Sequence, residues 1–452
     1  MESSRNSNSS EELRGRVAAA LAPVLFPGAH LALGLSGGVD SVALLSILAD
    51  LAPGLQFSLR AVHVNHCISR NATSWAEFCA ELCESLGISL RIELVDISEF
   101  RTLGLEGAAR RARFAAFAGV EADFLVLGQH RDDQAETLML RLLRGSGPQG
   151  LASMSPVKTF PGMRAKLLRP FLEASRAEIE DFARRRRLRW IEDESNADIH
   201  RRRNFLRHEV FPLIETQFPG ARATIARCAE HMGEARELLE ELGRGDYDRC
   251  SDGEGTVEVA ALLQLGTARA KNLLRFWCEL CGALPPAAAQ IAEFLRQLRA
   301  SGADARTSLA VPGWRFLRHR GRLHFAHTWE PLPLEFHQDW NGENALPLPA
   351  LGGALTFRPE EGRGLSLAKL RLAPVSVRLR RGGERLRLDS RRPRRTLKNL
   401  FRERGVPVWL REHTPLLFCG EELVSVPGVG NACEYLAVPG ERGLIVSWEP
   451  FA

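Results

Sequence analysis

Four short, β-rich apolar runs alternate with helical-looking segments between His30 and Leu143. The runs lie at 30–35, 57–64, 88–95 and 123–128, and the amphipathic segments lie at 39–51, 74–86, 105–117 and 133–143. Apolar runs this short are typical of buried strands. Strands that alternate with helices form βαβ units with right-handed crossovers and build a parallel sheet. The sequence therefore predicts an α/β domain that binds its ligands directly after the first, second and fourth runs, at the carboxyl ends of the strands.

The rest of the chain predicts additional domains, because 452 residues exceed what one hydrophobic core usually organises. After Pro219 the pattern is helical, with stretches at 221–242, 257–280 and 286–300. Pro, Gly and short apolar alternation from about 310 to 378 indicate strands and a linker. We predict five segments: a disordered N-terminus at 1–20, the α/β catalytic domain at 21–218, a mainly helical domain at 219–335, a linker at 336–371 and a small α+β C-terminal domain at 372–452, with one helix at 396–404.

The apolar runs and the cysteines indicate the cellular compartment of the protein. No apolar run approaches the roughly 18 to 20 residues that cross a bilayer, and the first residues lack the basic-then-apolar order of a secretory signal. The nine cysteines show no even framework of spacings, which favours free thiols in a reducing compartment. The pairs Cys79/Cys83 and Cys278/Cys281 have helical spacing and are interpreted as core residues rather than metal ligands. We expect a cytoplasmic protein without a membrane partner.

Positive charge is concentrated in two stretches. Residues 380–411 carry a local net charge of +9 and residues 184–207 one of +5, whereas the whole chain has +5, so the remainder is net negative. Concentrated basic surfaces on an otherwise acidic protein suggest a polyanionic partner. An arginine-rich composition on solvated faces is the alternative.

The first run leads directly into a helix through the loop Ser36-Gly37-Gly38-Val39-Asp40-Ser41. Adjacent glycines let the backbone approach an anion, and the N–H groups at the helix start carry positive partial charge. The loop lacks the lysine of the common phosphate-binding loop and differs from the dinucleotide fingerprint. Since Asp40 would repel a phosphate, a Mg²⁺ ion between them is expected.

This loop resembles the SGGxDS loop of the ATP-pyrophosphatase, or PP-loop, family. The segment 62–66 resembles that family's HVNHG segment, with Cys67 in place of Gly. The resemblance implies that the loop holds the pyrophosphate of ATP and that the second strand end contacts the adenine. The residues expected to bind ATP are Ser36, Gly37, Gly38, Val39, Asp40, Ser41, His63 and His130.

The segment 128–137, after the fourth run, begins a helix with two carboxylates three residues apart. Asp133 and Glu136 therefore face the same side, toward the strand ends. Crowded carboxylates need a cation, and a metal or an amine would serve. We expect Asp40 and Asp133 to bind Mg²⁺.

Further strings resemble the tRNA(Ile)-lysidine synthetase family within the PP-loop superfamily. They are HxDDQAET at 130–137, LEExAR..RY at 105–114 with Gly107 and Phe114 as departures, RGSGxxGLxGM at 144–154 with Ser153 for Gly, EDxSNxD with RNxxR at 192–207, and the final segment 397–416. The resemblance implies an ATP-dependent ligase that joins L-lysine to C2 of the wobble cytidine of tRNA(Ile) with a CAU anticodon. An adenylated cytidine would be the intermediate, and AMP and pyrophosphate the other products.

The same resemblance suggests roles for individual side chains. Glu136 would bind the lysine amine or help deprotonate it, while Arg110 and Arg113 would contact the lysine carboxylate or the α-phosphate. The catalytic set is thus Asp40, Asp133, Glu136 and Arg113, with lysine bound by Glu136 and Arg110. The basic stretches would supply the tRNA contacts Arg203, Arg207, Arg394, Arg395, Lys398 and Arg411.

Three alternatives stay open on the sequence. A tRNA thiolation enzyme of the same superfamily would need catalytic cysteines or an iron–sulfur cluster. An RNA-binding protein with an inactive nucleotide fold would not need the acids, and a ligase for a small molecule would not need the basic C-terminal segment. The oligomeric state, with a homodimer as one option, and the group that deprotonates the amine are also open.

Overall fold

The computed structural model describes residues 2–67, 69–98, 104–160, 163–253, 255–302, 307–328, 332 and 336–450. The side chains of 2–10, 105–106, 195 and 450 lie outside the description, so part of the motifs at 105–110 and 192–198 does too. The chain forms two compact units, Met1–Leu242 and Gly243–Ala452. The predicted domain boundaries within these units stay predictions.

Unit 1 contains six strands and the first ten helices of the described chain. The strands are β1 (His30–Gly34), β2 (Ser58–Asn65), β3 (Ser89–Leu94), β4 (Phe124–Val126), β5 (Val157–Lys158) and β6 (Lys166–Leu168). The helices are α1 (Glu2–Leu21), α2 (Val39–Leu55), α3 (Ala72–Ser85), α4 (Gly104–Ala118), α5 (Arg131–Leu142), α6 (Pro148–Leu151), α7 (Arg176–Arg185), α8 (Arg202–Phe205), α9 (Phe211–Gln217) and α10 (Ala221–Cys250), whose end belongs to unit 2.

The strands of unit 1 form one sheet in the order β3-β2-β1-β4-β6-β5, parallel except for β5. Side chains alternate across it: Leu31 and Leu33 enter the core under α1, α2 and α7, whereas Ala32 enters the core that includes Phe117 of α4. The predicted α/β fold is confirmed. Strand order reverses between β1 and β4, so the loops that follow these strands diverge and leave a crevice, where ligands bind in open α/β sheets.

The N-terminal segment differs from the prediction of disorder at 1–20. Residues 2–21 form α1, and Leu13, Val17 and Leu21 are buried in the core of unit 1. These three residues recur every fourth position and so form one apolar face of a helix. The polar composition before Leu13 concealed this short pattern.

Unit 2 contains the remaining helices and strands. The helices are α11 (Val259–Gln264), α12 (Thr267–Leu280), α13 (Ala288–Ala300), α14 (Leu367–Leu370), α15 (Leu397–Glu403) and α16 (Val408–Arg411). The strands are β7 (Thr256–Glu258), β8 (Ser308–Val311), β9 (Trp314–His319), β10 (Arg322–His327), β11 (His337–Trp340), β12 (Ala345–Leu348), β13 (Gly353–Glu361), β14 (Leu365–Ser366), β15 (Val375–Arg378), β16 (Arg385–Leu386), β17 (Arg395–Thr396), β18 (Leu416–Cys419), β19 (Glu422–Val426), β20 (Gly430–Asn431) and β21 (Arg442–Pro450).

The single helix predicted at 257–280 is wrong. Val257 lies in β7, and the helical pattern after it is broken at Gly266, whose φ of 80° is left-handed. Helices α11 to α13 pack on an antiparallel sheet of order β7-β10-β9-β8 around Trp277 and Phe316. The segment predicted to be mainly helical therefore has a sheet as one of its layers.

The predicted linker at 336–371 is also replaced by strands. Strand β13 pairs along its whole length with β21, from Gly353 opposite Pro450 to Glu361 opposite Arg442. Strand β11 pairs with β15 in the sheet of order β11-β15-β18-β19-β20. Because these partners lie far apart in the sequence, the local pattern of apolar residues could not predict their pairing. In the described part of the chain, no helix combines the length and apolarity of a membrane span.

Candidate active site

The loop between β1 and α2 is held in a conformation that requires glycine. Gly37 has a φ of 86°, and a Cβ atom there would lie 2.5 Å from Cδ1 of Ile191. The Gly37 carbonyl also accepts a hydrogen bond from the Ile191 backbone N–H at 2.9 Å. A side chain at this position would thus clash and strain the backbone.

The two serines of the loop are positioned by each other. The Ser36 and Ser41 hydroxyls lie 3.1 Å apart, and the Ser41 hydroxyl donates to the Gly38 carbonyl at 2.9 Å. Gly38 precedes α2 in an extended conformation, so the N–H groups of the first turn have no partner within the helix. Backbone N–H groups and two hydroxyls therefore converge at the carboxyl end of β1, as an anion site requires.

A second glycine brings the loop after β4 against the first loop. A Cβ atom on Gly128 would lie 3.1 Å from the backbone carbon and oxygen of Asp40. Two residues later, buried His130 caps α5: its Nδ1 accepts from the Asp133 N–H at 3.4 Å, and its own N–H donates to Asp133 Oδ2 at 3.1 Å. The other ring nitrogen, Nε2, lies 3.7 Å from Asp40 Oδ1 and 3.5 Å from Asp133 Oδ2. The structure thus brings Asp40, His130 and Asp133 together at the carboxyl ends of the neighbouring strands β1 and β4.

Asp40 is a partly compensated carboxylate. Burial raises its pKa and nearby Asp133 adds to this, while His130 and Arg176 oppose it; the net direction is upward. Arg176, at the start of α7, forms an ion pair with Oδ2, but Oδ1 is buried without a hydrogen-bond partner. Such an atom is costly unless a ligand completes its shell.

Asp133 and Glu136 do not face an open amine site; two arginines hold them. Arg203 donates through Nε to Glu136 Oε2 at 2.6 Å and through Nη2 to Asp133 Oδ1 at 2.8 Å. Arg207 donates through Nε to Glu136 Oε1 at 2.6 Å and through Nη2 to Oε2 at 2.9 Å. Glu136 is 0% exposed. We call these four residues the carboxylate–arginine cluster.

Helical spacing builds the carboxylate–arginine cluster. The two acids are three residues apart on α5, and the two arginines are four apart in α8 and the π-helical turn at 206–210 that follows it. Burial raises the pKa of Asp133, but His130 and Arg203 lower it more, and the net direction is downward. The ion pairs thus favour the ionised form of Asp133.

The carboxyl end of β2 supports the first loop from the side. Buried His63 lies with Nδ1 2.9 Å from the Leu35 carbonyl oxygen, next to Ser36. Burial, with contributions from Arg113 and His63, lowers the pKa of His66 to about 4, and the Arg113 guanidinium lies 3.5 Å from its Nε2. His63 thus positions the loop, whereas Arg113 lies beside a neutral imidazole.

The predicted tRNA contacts of the C-terminal stretch lie on the surface of unit 2. Arg394 is 55% exposed and within 3.7 Å of Glu422 and Glu434, and Lys398 is exposed on α15. Arg395 pairs with Glu403. Arg411 is half-buried and donates to the Val406 carbonyl at 2.8 Å, so it stabilises the turn after α15.

Sequence reasoning missed Arg176 and Arg169. Arg169 is buried, hydrogen-bonded to Gln129 and donates to the Ser155 carbonyl at 2.6 Å. Burial, then Arg110 and Arg141, lower its pKa to about 10. A Ser175–Glu178 capping box begins α7, but no local signal indicated that Arg176 would reach Asp40 from 136 positions away.

Three of the four cysteines in the predicted pairs, Cys79, Cys83 and Cys278, are buried in the cores, and Cys281 is half-buried against the same core as Cys278. Burial raises the pKa of Cys79 to about 12 and that of Cys83 to about 11. Burial, then Cys281, raises the pKa of Cys278 to about 12. A thiol that stays protonated is neither a good nucleophile nor a metal ligand, so these pairs do not support thiolation chemistry.

A magnesium ion fits the donor set at Asp40. No group of three or more His, Cys, Asp or Glu residues in the described ranges could hold a metal ion alone. Mg²⁺ commonly binds through one or two carboxylates together with substrate phosphates and water, and the buried, unpartnered Oδ1 of Asp40 lies at the phosphate loop.

The phosphate loop meets a helix start that carries carboxylates, at the point where the strand order of a parallel sheet reverses. This arrangement defines a PP-loop nucleotide-binding domain. The model of the PP-loop domain matches residues 10–214, that of the TilS substrate binding domain residues 258–324 and that of the TilS substrate C-terminal domain residues 375–448. The chain belongs to the tRNA(Ile)-lysidine synthase family.

Full-length relatives support this assignment. The tRNA(Ile)-lysidine synthase of Nitrosomonas europaea is 40% identical over 94% of this chain and 93% of that protein. That of an Azoarcus species is 40% identical over 97% and 96%, and that of Aromatoleum aromaticum 41% over 96% and 99%. Among solved structures, a U34-tRNA thiolase from Methanococcus maripaludis is 21% identical, covering 50% of this chain and 80% of its own with a TM-score of 0.42.

Proposed function

We propose that this protein uses ATP to join L-lysine to C2 of the wobble cytidine of tRNA(Ile), giving lysidine, AMP and pyrophosphate. The observation that carries the proposal is the meeting of the loop 36–41 with the start of α5, in a chain similar over nearly its whole length to tRNA(Ile)-lysidine synthases. ATP and a nucleic-acid acceptor follow from the family. Lysine, Mg²⁺ and the roles of individual residues are the finer part of the proposal.

The loop after β1 would hold the pyrophosphate portion of ATP. Its N–H groups and the two serine hydroxyls are arranged before ligand arrives, so little reorganisation is needed. Asp40, with Asp133 near it, would hold Mg²⁺, which supplies charge neutralisation on the phosphates. Nε2 of His130 lies between the two carboxylates, 3.7 Å from Asp40 Oδ1 and 3.5 Å from Asp133 Oδ2.

The reaction needs two displacements. The cytidine O2 attacks the α-phosphorus of ATP, a P–O bond to pyrophosphate breaks, and O2 carries AMP. The lysine ε-amine then attacks C2, the C–O bond breaks, and AMP leaves with the bonding electrons. Because the carbonyl oxygen is a poor leaving group, the first step makes the second feasible.

The amine must lose a proton, and the carboxylate–arginine cluster limits where this occurs. Both oxygens of Glu136 accept from guanidinium groups, so a lysine ammonium would reach Glu136 when Arg203 or Arg207 turns away. Phosphates of the RNA are suitable alternative partners for these arginines. Glu136 can therefore bind lysine while the two arginines contact the tRNA. This exchange of ion-pair partners would couple lysine binding to RNA binding.

Incubation with ATP, labelled lysine and tRNA(Ile) tests the proposal. We expect lysine-dependent AMP release and label in the tRNA, but none in a transcript whose wobble position is uridine. Active protein that releases pyrophosphate while the label stays out of the tRNA would contradict it. Sulfur transfer in place of lysine would instead indicate thiolation, which the buried, protonated cysteines disfavour.

We retain the cytoplasm as the predicted location.

A further inference from the structure

A pair of aromatic rings flanked by cations lies on unit 1, outside the loop 36–41 and the carboxylate–arginine cluster; one of the cations is Arg110, which the family resemblance assigned to lysine or the α-phosphate. The Phe114 and Phe160 ring centroids are 5.4 Å apart. The Arg110 guanidinium lies 5.3 Å from the Phe114 centroid, and the Lys158 ammonium lies 5.0 Å from the Phe160 centroid. We call these four residues the basic aromatic strip.

The strip is accessible at the surface. Arg110 and Lys158 are exposed, and both rings are half-buried, packed against the core around Phe117. Each ring is therefore anchored while part of it stays open to solvent. Anchored, partly open rings are suitable for stacking with a flat partner.

Further cations surround the strip. Partial desolvation of the Lys158 ammonium by the surrounding protein, then the charges of Arg169, Arg141, Arg236 and Arg110, lower the pKa of Lys158. The charged groups that lower the pKa of Arg141, after burial, are Arg110 and Arg144. In addition, Nε of Arg236 is buried with no hydrogen-bond partner. A concentration of positive charge from α4, α5, β5 and α10 is costly without a polyanion nearby.

The strip borders the catalytic loops through two hydrogen-bonded links. Arg169 bonds to Gln129, which directly precedes His130. Gln134 of α5 donates to the Met154 carbonyl at 2.7 Å and accepts from the Met154 N–H at 2.8 Å, which fixes the segment leading to Lys158. The same segment of chain thus joins the strip to the helix that carries Asp133.

The chemistry of the strip distinguishes its ligand. A small anion such as a carboxylate needs cations but no aromatic rings. A single strand of RNA offers phosphates to the cations and unstacked bases to the rings, and both kinds of contact tolerate any sequence.

We propose that the basic aromatic strip binds the single-stranded RNA beside the reacting nucleotide, with a base stacked on Phe160 and phosphates on Lys158 and Arg110. This deepens the proposed function and rests on it for the identity of the RNA. The nucleotides bound would be neighbours of the wobble cytidine in the anticodon loop, because the strip adjoins the loop 128–133.

Two variants of the full chain separate the two kinds of contact. Lys158→Ala removes a phosphate contact, so we expect the slope of log affinity against log salt to fall by about 0.7 for binding of tRNA(Ile) and of its isolated anticodon stem–loop. Phe160→Leu keeps an apolar side chain but removes the stacking ring, so we expect affinity to fall about fivefold or more with an unchanged slope. Arg91→Ala, at an exposed arginine of β3, is the matched control and should bind as the unchanged protein does.

Binding of ATP is measured on the same proteins and should not change. Wild-type affinity and salt slope in both variants would overturn the proposal, as would a loss confined to ATP. Lysidine formation by the unchanged protein is scored separately. If the unchanged protein forms no lysidine while both variants lose RNA affinity as expected, the strip is an RNA-binding site and the proposed reaction is wrong.

Discussion

The two basic stretches of this protein use their arginines differently. In the stretch 184–207, Arg203 and Arg207 point inward and neutralise Asp133 and fully buried Glu136. In the stretch 380–411, Arg394 lies on the surface within 3.7 Å of acids that are themselves partly exposed. The first set builds the active-site region of unit 1, and the second provides an exposed, positively charged surface on unit 2.

The difference shows that local net charge does not reveal what the charge is for. Arginine at a buried carboxylate stabilises the fold, and its removal leaves an uncompensated charge unless another cation, such as a lysine ammonium, takes its place. Arginine at an exposed carboxylate contributes little to stability and can exchange that partner for a phosphate. Four predictions test this contrast.

The largest expected effect separates chemistry from binding. Asp40→Asn removes the carboxylate charge beside the phosphate loop, and we expect pyrophosphate release to fall roughly a hundredfold or more, with tRNA affinity retained. Arg394→Ala should do the reverse and mainly weaken tRNA binding. Pyrophosphate assays and RNA titrations on both variants check this, and equal losses in both assays would contradict the division.

The next effect is on stability. Arg207→Met leaves Glu136 with one guanidinium, so we expect unfolding of the full chain in urea to lose about 2–3 kcal/mol. Arg395→Met breaks the exposed pair with Glu403 and should cost less than about 1 kcal/mol. Equal losses would mean that the two stretches do not differ in the way described.

Acid should erase part of the contribution of the carboxylate–arginine cluster. The pKa of Asp133 is lowered in the fold, so its ion pairs stabilise fully above the ordinary value of 3.8 and are lost as pH falls further toward the lowered value. We expect the stability difference between the unchanged protein and Arg203→Met to be constant from neutral pH to about pH 5 and to shrink below about pH 4.

Unfolding measured at several pH values checks this. A stability difference between the unchanged protein and Arg203→Met that grows as the pH falls would contradict the prediction.

The smallest effect distinguishes two cations within the second stretch. Lys398→Ala should reduce the salt slope of tRNA binding by about 0.9 if it meets a duplex phosphate, with no change in stability. Arg411→Ala should instead lower stability, because its guanidinium donates to the Val406 carbonyl. Titrations at several salt concentrations together with urea unfolding separate the two, and a slope change in Arg411→Ala alone would reverse the assignment.

Much of the first unit could be predicted because its signals are local. The apolar runs located β1 to β4, and Gly37 and Gly38 located the phosphate loop. The pairing of β11 with β15 and of β13 with β21 could not be predicted, since the paired residues lie at least 35 positions apart in the chain. The hydrophobic pattern within a segment does not show which distant segment it pairs with, so these strands could not be distinguished from a linker.

The sequence by itself determined the α/β fold, the loop that binds phosphate and the family, because each depends on residues adjacent in the chain. Only the tertiary structure decided which charges meet. Asp133 and Glu136 share a helix face by spacing alone, but their partners Arg203 and Arg207 come from about 70 positions away, and Arg176 reaches Asp40 from 136. The strength of an ion pair depends on the distance between the charges and on their burial, and the sequence alone reveals neither quantity.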